Sequence, residues 1–242
     1  MSKADVWKTD ELTRRFLSGV RGAIPLAAEQ LELLVRLTAK AQPQLRNFLD
    51  LGCGDGILGA ALLHRFPQAS GVFSDFSPPM LAAAKARFAD SAAKHAFVEC
   101  DYGTPSWTKA FERFGPYDAI VSGFSIHHQP DARKRELYAE IFGLLSPGGI
   151  FLNLEHVASA TPWVEGAFDE LFVDSLYAFH KANGGGRTRD EVGREYYHRP
   201  DKAANILAPV EVQCQWLRET GYHEVDCYFK VFELALFGGV RR

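Results

Sequence analysis

Three glycines at alternate positions follow an apolar run carrying one acid, in Phe48-Leu49-Asp50-Leu51-Gly52-Cys53-Gly54-Asp55-Gly56-Ile57-Leu58-Gly59. Glycine tolerates positive φ and lets a ligand approach where a Cβ would clash. The run reads as a buried strand breaking into a tight loop that opens a helix, which is a nucleotide-type site at the start of a βαβ unit. No Lys-Ser/Thr follows the last glycine, so a triphosphate-binding loop is not expected. Two further acids fall where a ligand's polar groups would sit. Asp75, 25 residues after Asp50, can accept from both hydroxyls of a ribose, or cap the next helix. Asp101, followed by Tyr102, can accept from an adenine amino group, or serve only a turn. Ser122-Gly123-Phe124-Ser125-Ile126-His127-His128 adds two imidazoles, which titrate near neutral pH and suit a general base. His128-Gln129-Pro130-Asp131 also fits a loop that caps the helix after it.

The elements that must position these groups follow from periodicity and breakers. Strands are expected at 47–51, 70–74, 96–100, 117–123 and 150–155, each but the last followed by a helix or turn-rich segment. Helices are expected at 57–65 (stopped by Pro67), 80–89 (opened by Pro78 and Pro79) and 132–145 (ended by Ser146-Pro147-Gly148-Gly149). Before them, residues 5–40 read as two helices, one with Trp7, Leu12, Phe16 and Leu17 on its apolar face and one spanning Ile24 to Leu37. After them, residues 158–208 break the rhythm with an aromatic helix (Trp163 to Phe179), a Gly184-Gly185-Gly186 break and a polar helix ending in Tyr196-Tyr197-His198-Arg199-Pro200. A helix at 209–220, with Gly221 as its C-cap, and two strands at 225–229 and 232–237 close the chain.

The expected fold is therefore α/β, a doubly wound, mostly parallel seven-stranded sheet with a C-terminal antiparallel hairpin. An N-terminal helical cap (1–45) precedes the core (46–157). A helical insertion (158–208) lies over the mouth of the sheet, and 209–242 completes the core.

The ordered set Asp-Leu-Gly-Cys-Gly-Asp-Gly, Ser-Asp-Phe-Ser-Pro-Pro-Met-Leu, Glu-Cys-Asp, Phe-Ser-Ile-His-His-Gln-Pro-Asp and Leu-Ser-Pro-Gly-Gly resembles the class I S-adenosylmethionine-dependent methyltransferases over about residues 47–157. The resemblance implies a Rossmann-like methyltransferase fold and S-adenosyl-L-methionine as cofactor, with S-adenosyl-L-homocysteine as product. It places Gly52, Gly54 and Gly56 along the methionine part, and Asp50 and Cys53 are among the expected cofactor-binding residues. It also places Asp75 on the ribose, with Phe76 and Met80 beside the adenine. Asp101 with Tyr102 and Gly123 with Phe124 complete the expected cofactor site. The outer segments 16–25 and 179–184 resemble the carboxy-S-adenosylmethionine synthases of tRNA wobble modification. The chain differs from those enzymes in its Gly-Asp-Gly and His-His, and Arg199 is about one position out of their register.

The leading expectation is a methyltransferase for a small-molecule acceptor, acidic or aromatic. The site residues beyond the cofactor are His127, His128, Tyr197 and Arg199. Transfer is an in-line displacement, so holding the partners in line supplies much of the rate, on the order of 7–11 kcal/mol. The alternatives are a carboxy-S-adenosylmethionine synthase-like enzyme and a non-catalytic cofactor-binding protein. The insertion serves as substrate wall, core or homodimer contact. His127, His128, His156 and His198 are not at a recognised ligand spacing, and no metal is expected. A net charge of −3 gives no general attraction to nucleic acid, and no apolar run approaches the roughly 20 residues of a spanning helix. Cysteines 53, 100, 214 and 227 form no Cys-x-x-Cys pair and read as reduced thiols. The expected location is cytoplasmic.

Overall fold

Alternation along each strand sends neighbouring apolar side chains to opposite faces of one sheet. Phe48, Ala119, Val121 and Leu152 point to one face, and Leu49, Ile120 and Phe151 to the other, all buried. A computed structural model describes Thr9 and residues 21–242. The strands are β1 Asn47–Leu51, β2 Ser70–Asp75, β3 Ala96–Glu99, β4 Tyr117–Gly123, β5 Leu145–His156, β6 His223–Val231 and β7 Leu234–Val240. Their order is β3-β2-β1-β4-β5-β7-β6. The first five pair in parallel, and β7 pairs antiparallel with both β5 and β6.

Helices α1 Ala27–Ala41, α2 Ile57–Arg65 and α3 Pro78–Arg87 cover the first face through Leu34, Leu58, Leu62, Leu81 and Ala84. Helices α4 Asp131–Leu144 and α7 Val210–Thr220 cover the second through Leu137, Ile141, Cys214 and Leu217. The remaining two, α5 Pro162–Ala182 and α6 Arg189–Tyr197, lie between β5 and α7 in sequence. They build a third cluster of Phe168, Phe172, Val173 and Tyr196 with Leu234, against which Ile24 and Phe124 pack.

β1, β4 and α2 have the expected bounds. The helix expected within 5–17 lies outside the described residues. The one expected from Ile24 begins at Ala27, because Leu26 takes φ 57. β5 starts five residues before the expected Ile150. Ser146-Pro147-Gly148-Gly149 stays in the sheet rather than forming a free turn, since Leu145 pairs with Tyr117 and Gly148 and Gly149 bond to Arg241. β6 and β7 are longer than expected, since each gains backbone bonds from its neighbour. The segments that resembled carboxy-S-adenosylmethionine synthases meet in space: a Cβ on Gly22 would lie 2.3 Å from the Phe179 ring. Among the described residues no helix is long and apolar enough to cross a membrane, and no cluster of metal-binding side chains occurs.

Candidate active site

Strand order reverses between β1 and β4, where the crevice of an open α/β sheet forms. The glycine loop sits there. Gly52, Gly54 and Gly56 have φ of 67, 56 and 79°, all in the left-handed region that glycine tolerates. Gly52 is also confined by contact, since a Cβ there would fall 2.0 Å from Ser125 Oγ. Ser125 is held in place by Tyr102, whose hydroxyl lies 2.5 Å from its Oγ. This bridge joins the end of β3 to the end of β4. Tyr102 is itself buried in the core, and its hydroxyl is pushed up from the usual phenol range by burial.

Two buried acids brace the loop. Asp50 Oδ2 accepts from Gly59 N–H at 2.9 Å. Asp75 Oδ2 accepts from Gly54 N–H and its Oδ1 from Ser77 N–H, each at 2.8 Å. Burial raises the Asp75 pKa even though the Ser77, Gly54 and Phe76 backbone bonds pull it down. The cap of α3 is Ser77, which accepts from Met80 N–H at 3.5 Å. Asp75 is therefore no helix cap. Arg87 clamps the loop tip, donating to the Asp55 carbonyl at 2.7 Å and pairing with its carboxylate.

The loop, Asp50, Cys53, Gly123, Phe124, Leu154 and the start of α1 enclose a cleft of about 490 Å³ open to solvent. Phe124 adopts φ 50, an uncommon conformation for an aromatic residue, and closes the end of the cleft toward the aromatic cluster under α5 and α6. Phe76 is half-buried and Met80 buried beyond β2. Asp101 is exposed, with Oδ1 accepting from Gly103 N–H at 2.8 Å, so one of its oxygens closes a turn.

The expected catalytic side chains divide differently. His127 is buried, with Nδ1 2.5 Å from Glu155 Oε1 and its N–H donating to Glu155 Oε2 at 3.0 Å. The Asn205 side chain also hydrogen-bonds it. Burial first, then the charges of His156 and Lys134, hold its pKa well below the ordinary value. Burial thus favours the neutral imidazole, and its Nδ1 is engaged by Glu155. His128 Nδ1 meets the Ala204 carbonyl at 3.2 Å, and Ile206 N–H donates to the His127 carbonyl at 2.8 Å. Both histidines thus tie the 204–206 segment to the core. Tyr197 is corrected: it is exposed and donates to Glu170 at 3.1 Å, on the outside of α5 and α6. Its neighbour Tyr196 faces inward, stacked on Phe172 with ring centroids 5.3 Å apart. Arg199 lies over the Tyr196 ring at 4.1 Å and donates to the Tyr196 carbonyl at 2.8 Å.

Further residues join the site, and apart from Glu155 and His156, which end an expected strand, they carry no local sequence signal. Glu155 and His156 stand at the end of β5. Glu233, in the β6–β7 turn, accepts from His156 Nε2 at 2.6 Å. Lys134, wholly buried, reaches Asp131 Oδ1 at 2.7 Å and the Ile206 carbonyl. Gln30 enters the cleft wall from α1. Only the chain's path brings these together.

Burial lifts the Glu155 carboxyl from 4.5 to about 6, against the His156 backbone bond and the positive charges of His128, His156 and Lys134. Below the ordinary histidine value of 6.5 the unfolded chain binds a proton that folded His127 does not, so acidification destabilises. Between about 4.5 and 6 folded Glu155 binds a proton that the unfolded chain does not, which offsets that loss. Glu155→Gln removes the offset. Its unfolding free energy should fall more between pH 6.5 and 4.5 than that of the wild type, the difference being at most about 1.4 kcal/mol per pH unit. A shallower fall than wild type would place the compensating proton elsewhere.

A Rossmann-like sheet with a glycine loop at its switch point and an acid at the end of β2 defines the cofactor-binding class of the methyltransferases. Comparison with known proteins agrees. Residues 48–149 match the family model described as a methyltransferase domain. A trans-aconitate 2-methyltransferase from Methylobacterium radiotolerans is 32% identical over 78% of this chain and 72% of its own. One from Escherichia fergusonii is 34% identical over 89% and 76%. A solved O-methyltransferase family protein from Burkholderia thailandensis superposes with a TM-score of 0.70 at 19% identity, over 99% of this chain and 63% of that one. This chain thus spans less than two thirds of that solved chain. The chain belongs to the S-adenosylmethionine-dependent methyltransferase family.

The residues present fit that cofactor. Gly52, a positive-φ glycine, lines the cleft beside Asp50, and the loop it opens is braced by the buried Asp75 carboxylate. Gln30 Oε1 in the cleft lining is a buried acceptor without a partner among the described residues.

Proposed function

We propose that the protein methylates a small carboxylic acid. Bound S-adenosylmethionine supplies an electrophilic methyl group on a sulfonium. The glycine loop, with Asp75 and Asp50 bracing it, holds the cofactor. Phe124, in the cleft wall, packs against the aromatic cluster of Phe168, Phe172 and Tyr196, and this boundary shapes the acceptor side of the cleft and excludes water. The observation that carries the reading is His127: its ring is buried and its Nδ1 is engaged by Glu155 Oε1 at 2.5 Å, so the imidazole expected to serve as base is tied into the core. A carboxylate acceptor is already ionised at neutral pH and needs none. Arg199, over the Tyr196 ring of that cluster, supplies a cation that can pair with such an acceptor. The relatives named for trans-aconitate methylation support the same substrate class.

The test is methyl-ester formation, read by mass spectrometry, across a panel of di- and tricarboxylic acids, phenols and amines. Base-labile esters of the acids are expected. Methylation confined to phenols or amines would overturn the reading. Arg199→Ala should raise the acceptor Michaelis constant at least tenfold, about 1.4 kcal/mol, and leave that of S-adenosylmethionine within twofold. Equal effects on both would mark Arg199 as a structural residue.

A further inference from the structure

One polar atom in the cleft wall has no role in the fold. Gln30, in the first turn of α1, is 1% exposed. Its Nε2 donates to the Pro25 carbonyl at 2.8 Å. Only the amide nitrogen can donate to a carbonyl, so this bond fixes which way the side-chain amide faces. Oε1 is left buried and without a partner among the described residues. A buried acceptor left unsatisfied costs about 1–3 kcal/mol. Gln30 lines the same cleft as Asp50, Gly52 and Cys53, and among the described residues that lining contains no Lys, Arg or His. The described residues at this end of the cleft therefore offer a carboxylate and an amide oxygen, a combination that suits a positively charged N–H donor.

We propose that Gln30 Oε1 accepts a hydrogen bond from the α-ammonium of the cofactor's amino-acid tail. The inference rests on the family's cofactor occupying this cleft. The sulfonium has no N–H, so the ammonium is the cationic donor that this pair of acceptors selects. Gln30 thus makes α1 part of the cofactor site and couples its seating to tail recognition. Ligands that keep the nucleoside but lack the tail gain nothing from it.

The experiment is calorimetric titration of wild type, Gln30→Met and Gln30→Ala with S-adenosylhomocysteine and with 5′-methylthioadenosine, which has no amino-acid tail. Melting temperatures of the free proteins report folding, and Gln30→Ala carries the comparison should the longer side chain not fold. The expected result is at least a tenfold loss for S-adenosylhomocysteine and a change within twofold for 5′-methylthioadenosine. Unchanged affinity for S-adenosylhomocysteine, or equal losses for both ligands, would overturn the role of Gln30. If wild type bound neither ligand, the cofactor reading would fail and this inference with it. Wild-type binding of both, with S-adenosylhomocysteine affinity intact in the variants, would remove Gln30 alone.

Discussion

Gly52→Ala should lower the affinity for S-adenosylhomocysteine by at least about a hundredfold, close to 3 kcal/mol. Two costs coincide at this residue. Its φ of 67° is unfavourable for any L-residue with a Cβ, by roughly 1–2 kcal/mol. The new methyl would also lie 2.0 Å from Ser125 Oγ and 2.6 Å from Ser125 Cβ. Ser125 would have to move, breaking its 2.5 Å contact with Tyr102, a further loss of about 0.5–1.5 kcal/mol. The strain falls on the residue that joins β1 to the ligand loop, so binding suffers along with stability. Gly184→Ala is the matched control. Gly184 has φ 77° but no atom within 4 Å of a would-be Cβ, so it reports backbone strain alone. Calorimetry and thermal melts of both variants separate the two costs. Equal behaviour would show that the Ser125 contact has no bearing on the site.

Asp75→Ala should be comparably severe and should differ from Gln30→Met in ligand profile. Its carboxylate accepts from Gly54 N–H and Ser77 N–H at 2.8 Å each. Removing it leaves two backbone donors without acceptors at about 1–3 kcal/mol apiece. It also removes the acceptor proposed for the ribose hydroxyls. Because the ribose belongs to the nucleoside that both ligands carry, S-adenosylhomocysteine and 5′-methylthioadenosine should both weaken, by about a hundredfold. Loss of the first alone would place Asp75 at the amino-acid tail. Unchanged affinity for both would take it out of the site.

The glycine loop and the strand ends were legible because their determinants are local. Positive φ demands glycine within a few residues of the strand it terminates, and β1, α2 and β4 carry their own breakers. The ends of β5 and the final hairpin were less legible. Their extra residues are held by bonds to strands far away in sequence, such as Leu145 to Tyr117 and Gly148 to Arg241. Tyr196 and Tyr197 are adjacent, yet one packs on Phe172 and the other faces Glu170. The helix phase that decides between them is set by packing on Phe172. His127 looked like a base because imidazole titrates near neutral pH in water. Burial beside Glu155 and Lys134 changed that, and its neighbours come from β5, α4 and the 204–206 segment.

The sequence by itself determined the strands, the glycine loop and the acid after β2, since alternating apolar residues, glycines and a spaced acid each act over short range, and its resemblance implied the cofactor. Tertiary structure alone decided which histidine is buried against Glu155, which tyrosine faces inward and that Gln30 belongs to the cleft. Those outcomes depend on desolvation and on distances between residues that only the completed chain brings together.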